Sequence, residues 1–106
     1  MHQFNDSAPV SSLGGGVTRK VLSHSPNLMA AEFHFDQGSI GVLHAHPHEQ
    51  IGYVVSGRLR LTVDTKTVIL GAGDTYYIAP YQKHGVEALE ETLLLDVFTP
   101  QRDDFL

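Results

Sequence analysis

Three histidines two residues apart, His44, His46 and His48, lie in the run HAHPHEQ, and a fourth, His84, follows Pro80. Imidazole is a common ligand for transition metals, and the pair His44 and His46 has the spacing to serve one ion. On an extended strand, residues two apart face the same side with α-carbons about 6.6 Å apart, so both rings reach a common point. Pro47 argues that the chain leaves a central strand there. The return from Gln50 brings back a third ligand, anchored by the apolar continuation Ile51-Gly52-Tyr53-Val54-Val55, and Glu49 then faces away from Gln50. His48 has the weaker case and is expected to be an ordinary surface or hydrogen-bonded residue.

Cysteine is absent, so a metal site must use histidine, carboxylate or amide ligands, and thiolate zinc, iron–sulfur and cysteine-nucleophile chemistry are excluded. Seven Lys and Arg stand against twelve Asp and Glu, a net charge of -5, without a basic cluster to follow a phosphate backbone. Nucleic acid is therefore not an expected partner. An acidic substrate would need positive charge placed locally, by a metal or an arginine. No segment has membrane-spanning length, and residues 1–16 lack the charged and apolar parts of a signal peptide, so no membrane partner and a cytoplasmic location are the expectations.

The elements that would position these groups are short strands. Gly, Pro, Asn and Asp interrupt the chain at short intervals, and the runs between them alternate with period two, which indicates an all-β fold. The runs fall at 17–22, 28–35, 50–55, 58–63, 67–70, 75–79 and 92–98. At 58–63, Leu59, Leu61 and Val63 alternate with Arg58, Arg60 and Thr62, giving one dry and one wet face. No helix-period stretch carries both start and stop signals, and the acidic segment 87–91 reads as a turn as easily as a helix. The 106 residues make one domain, 1–106, whose first sixteen residues form an arm, loose or paired with another subunit. In the last strand Asp96 interrupts an apolar run on the face it shares with Leu94 and Phe98. Such a carboxyl is costly unless paired, hydrated or facing a cavity, which makes it a candidate for a raised pKa and acid–base work.

The spacing Gly38, His44, His46, Gln50, Gly57 resembles the first motif of the cupin superfamily, with Gln where many members have Glu. Gly73-Asp74, the strand to Ala79, then Pro80, His84 and Ala88 resembles the second, although Ala79 and Tyr81 replace its usual Pro and inner Gly. The resemblance implies a cupin double-stranded β-helix, a jelly-roll barrel in which His44, His46, Gln50 and His84 hold one divalent metal. Nickel, zinc, iron, manganese and cobalt all suit that donor set. Small cupins of this kind are commonly homodimers. Neutral Gln50 would leave more of the cation's charge uncompensated than Glu would, and it cannot act as a general base.

The segments LGGGV, HPHEQ, GDTYYIAP and LLDVFTPQRDDFL together resemble the pectin-degradation cupins of the KdgF type over nearly the whole length. That likeness implies conversion of cyclic 4,5-unsaturated uronates, released from pectin or alginate by lyases, into linear keto forms. It implies Asp96, Phe98 and Arg102 as active-site residues: proton carrier, apolar wall and carboxylate grip. Tyr53, Tyr77 and metal-bound water are the other proton carriers to consider. A metal-dependent dioxygenase and a non-enzymatic sugar-acid binder are the alternatives, separated from the first reading by oxygen uptake and by turnover.

Overall fold

Alternation along the core-facing strands decides what enters the barrel. In the computed structural model, which describes residues 1–106, β6 (Arg58–Val63) buries Leu59 and Leu61 and leaves Arg58 exposed. Nine further strands complete the fold: β1 (Val10–Gly14), β2 (Val17–Ser25), β3 (Leu28–Phe35), β4 (Ile40–His44), β5 (Glu49–Ser56), β7 (Lys66–Gly71), β8 (Thr75–Ile78), β9 (His84–Ala88) and β10 (Thr92–Thr99), with the clearest alternation in β5 and β10. They form two antiparallel sheets, ordered β1-β2-β3-β10-β5-β8 and β4-β9-β6-β7. The all-β jelly roll expected from the sequence is the fold observed.

All seven expected strands are present within about two or three residues at their ends, the margin within which such boundaries are drawn. Three strands were not among them. β9 takes Glu87 and Ala88 out of the expected turn, because His84–Ala88 pairs with both β4 and β6. β1 lies in the expected arm and is bonded to β2 of the same chain, Val10 opposite Lys20. No helix is long and apolar enough to cross a membrane.

The register runs from a dry end to a polar one. Along the β5–β10 ladder the inward pairs are Val54 with Leu94, Gly52 with Asp96, and Gln50 with Phe98. Val54 and Leu94 belong to the main apolar cluster with Val17, Phe35, Leu59, Leu61 and Ala88. Each fully buried Leu or Phe of this kind contributes about 1.5–3 kcal/mol, enough to offset polar groups buried two and four residues further along.

Candidate metal centre

β4 ends on His44 and β9 begins on His84, and the two residues are direct partners across the ladder. Their ring centroids are 4.3 Å apart. The sequence reading placed His44 and His46 on one strand as far as Pro47, but β4 stops at His44 and His46 lies in the connection after it. Its backbone is tied down instead by the Tyr81 N–H, which donates to the His46 carbonyl at 2.7 Å. Tyr81 stands where the cupin motif has glycine, and it keeps the left-handed backbone of that position, φ 62°. The His46 ring is 4.9 Å from His84 and 5.5 Å from His44. One nitrogen from each of the three rings falls within 4.8 Å of the other two.

Backbone carbonyls fix which nitrogens those are. Nδ1 of His44 donates to the Val42 carbonyl at 2.9 Å, Nδ1 of His46 to that of His48 at 3.1 Å, and Nδ1 of His84 to that of Gln82 at 2.9 Å. A carbonyl only accepts, so in the neutral rings each Nδ1 carries the proton and each Nε2 presents a lone pair. The His84 Nε2 is buried without a hydrogen-bond partner. His46 Nε2 meets Gln50 Oε1 at 2.9 Å, an approach of two acceptors, while the Gln50 amide nitrogen points to the Tyr76 hydroxyl at 3.4 Å. Burial lowers the pKa of His46 and brings that of His84 down to about 4, so protonation does not relieve the crowding of lone pairs near neutral pH. A divalent cation satisfies all of these atoms at once, and the donor set of His44, His46, His84 and Gln50 fits one.

His46, Gln50 and His84 are buried and His44 is exposed, so the cluster opens to solvent on the His44 side. Phe98 packs edge-on against His46 at 5.8 Å and forms an apolar wall. Beside it Asp96, only 4 % exposed, accepts a 2.9 Å hydrogen bond from the Tyr76 hydroxyl. Burial pushes its carboxyl up to about 6, against the opposing pull of the Gln50 amide, the Tyr76 hydroxyl and the Arg102 charge.

Arg102 packs over the rings of Phe98 and Phe105, at 5.2 and 4.3 Å from their centroids. One edge of its guanidinium, Nε and Nη2, is taken by the Asp104 carboxylate at 3.0 and 2.9 Å, which leaves Nη1 and the second Nη2 hydrogen for another ligand. His48 stands outside the metal cluster, its Nε2 donating to the Gln101 carbonyl at 3.2 Å.

The family model for the cupin domain matches residues 31–98, which contain all four expected ligands. Over 97% of this chain and 96% of the relative, the sequence is 40% identical to the pectin degradation protein KdgF of Dickeya dadantii. The chain is a cupin of the KdgF type. Among solved structures, KdgF from a Halomonas species superimposes with a TM-score of 0.95 at 36% identity, covering 100% of this chain and 98% of that one. An RmlC-like cupin from Shewanella frigidimarina gives 0.94 at 36% identity, with both chains fully covered.

In this cupin the expected tyrosines are on the wrong face. Tyr53 and Tyr77 are 44 % and 53 % exposed on the outside of the barrel, where Tyr77 donates to Glu49 at 2.7 Å. With Gln50 and Ile78 pointing inward, strand parity sends 53 and 77 outward and 76 inward. Tyr76 is the tyrosine of the site. Arg19 is a second residue that sequence reasoning missed: its guanidinium lies 3.9 Å from the Phe105 centroid with a buried, unpaired Nε.

His84 and Asp96 give the metal-free protein opposing pH responses. Between pH 6.5 and about 4 the unfolded chain binds a proton at His84 that the fold refuses, so acid erodes stability. From 3.8 to about 6 the fold retains a proton on Asp96 that the unfolded chain has lost, so stability falls as pH rises. Each effect amounts to about 3 kcal/mol at full extent. Metal-free Asp96→Asn should therefore gain thermal stability more steeply than the parent as pH rises from 4 to 6.5. Parallel curves in a melting series would contradict the opposition.

Proposed function

We propose that this cupin converts cyclic 4,5-unsaturated uronates into linear keto acids by ring opening and tautomerisation. The observation that carries the proposal is the buried Asp96 carboxyl, held by the Tyr76 hydroxyl beside Gln50 of the histidine cluster. The KdgF relatives, one of them named for pectin degradation, support the substrate class.

The substrate is a cyclic hemiacetal whose ring oxygen is also an enol ether oxygen. Opening the ring turns the hemiacetal carbon into an aldehyde, leaves the electron pair on the former ring oxygen, and gives a ketone once the enol carbon is protonated. No water is consumed and no electrons are exchanged with an oxidant. A divalent cation bound by His44, His46, Gln50 and His84 would supply Lewis-acid stabilisation of negative charge on oxygen. Asp96 takes the hemiacetal proton and returns one to carbon, a role suited to a buried carboxyl that is a stronger base than an exposed one. Arg102 offers its free Nη edge to the uronate carboxylate, and Phe98 keeps water off the reacting carbons.

In heavy water the product should carry deuterium at the former enol carbon, read by proton NMR, while an oxygen electrode stays flat. Oxygen uptake would point instead to a dioxygenase. Arg102→Lys keeps the charge but loses the planar fork, so KM for the uronate should rise about ten-fold with a smaller fall in kcat. An unchanged KM would remove Arg102 from the carboxylate site. Gln50→Glu should hold metal at least as tightly while turning over more slowly, because the anionic ligand weakens the Lewis acid; a faster variant would sink that charge argument.

The homodimer and the cytoplasmic location belong to the same proposal. On the outer face, Ile51 lies between Tyr77 and Val97, with exposed Tyr53 and Val55 further along β5. This run of exposed apolar side chains supports pairing with a second copy through that face. Light scattering giving twice the chain mass, lowered by Ile51→Lys, is the expected result.

A further inference from the structure

We infer that Tyr76 is a positioning residue that fixes which end of the Gln50 amide faces the metal. The inference rests on the metal reading of the site.

A glutamine has one accepting atom and one donating group on the same amide plane, and half a turn exchanges them. Only Oε1 can serve a cation, so a Gln ligand needs a neighbour that recognises its NH2 group. Tyr76 supplies that recognition through a directed chain. Its single hydroxyl hydrogen is donated to Asp96 Oδ1 at 2.9 Å, which leaves an oxygen lone pair for Gln50 Nε2 at 3.4 Å. With the NH2 end held there, Oε1 points to the histidines and lies 2.9 Å from His46 Nε2. The opposite orientation would aim the NH2 donors at the cation and face Oε1 to the hydroxyl's lone pairs.

Gly52 makes this arrangement possible. Asp96, Gly52 and Tyr76 are cross-strand neighbours in one row of β10, β5 and β8. The Tyr76 ring occupies the space beside Gly52, where any Cβ would overlap the ring and stand 2.6 Å from its hydroxyl. A side chain at position 52 would push the hydroxyl out of reach of both Asp96 and Gln50.

Glutamate presents an oxygen whichever way it turns, so a carboxylate at position 50 has no need of Tyr76. That contrast separates orientation from general support of the fold. The test is zinc affinity, measured without substrate by competition with a chromophoric chelator, for the parent, Tyr76→Phe, Gln50→Glu and the double variant, with circular dichroism melts as a folding check. Tyr76→Phe should weaken zinc binding about ten-fold in the parent, the scale expected of an outer partner of a metal ligand. In the Gln50→Glu background the same change should alter it by less than about two-fold. Equal losses in both backgrounds would make Tyr76 a general support and overturn the inference, as would no loss in either. A parent that binds no zinc would overturn the metal reading as well, whereas a zinc-binding parent with an unaffected Tyr76→Phe would overturn only the role of Tyr76.

Discussion

Asp96→Asn will yield a folded protein that still binds metal and has lost about 10²- to 10⁴-fold in kcat for uronate ring opening, the range of a missing general acid–base. The amide fills almost the same space between Ala31 and Gly52, and its Oδ1 can still accept from the Tyr76 hydroxyl, so packing survives. What is lost is a group that can take a proton from oxygen and give one to carbon. Asp96 is suited to both steps because burial raises its pKa above the usual carboxylate value, which makes it a stronger base than an exposed Asp while the Tyr76 hydroxyl holds it in place. Elemental analysis and circular dichroism confirm that the variant is intact, and stopped-flow absorbance gives kcat. A parental rate in a metal-loaded, folded variant would show that Asp96 is not the proton carrier.

His84→Ala will release the metal, and His46→Ala will do the same, with affinity falling by more than roughly 100-fold, since even outer partners of ligands are worth about 10–100-fold. His84 has no other use for its Nε2, which is buried and unpaired, and its Nδ1 is already committed to the Gln82 carbonyl. His48→Ala should cost little metal, because His48 lies outside the cluster and its Nε2 is engaged by the Gln101 carbonyl. Elemental analysis after dialysis decides between them. Equal losses from His48→Ala and His84→Ala would mean that the ligand set is wrongly drawn.

The sequence showed most of this where a local rule applied. Period-two alternation placed Leu59 and Leu61 inside β6, and Leu94, Asp96 and Phe98 on one buried face of β10. The H-x-H pair was legible, but its geometry was not. His46 reaches the cluster because a distant residue, Tyr81, holds its carbonyl, and no local spacing encodes that contact. β9 was hidden because His84–Ala88 mixes charged, small and apolar residues, and only pairing with β4 and β6 makes it a strand. Tyr76 was within reach, since the inward direction of Ile78 implies it by parity, but its meaning depends on Gly52 lying opposite, a fact of register. Asp104 on the Arg102 fork and Arg19 above Phe105 depend on how the last residues fold back over β2 and β3.

The central claim is that the histidine cluster and Asp96 together open an unsaturated uronate ring. It is tested most directly by following the enol ether absorbance of unsaturated galacturonate with the metal-loaded protein, alongside the spontaneous reaction. The expected result is loss of absorbance far faster than the uncatalysed opening, abolished by a chelator and restored by adding the metal back. A trace that matches the spontaneous rate with verified metal in the site would contradict it.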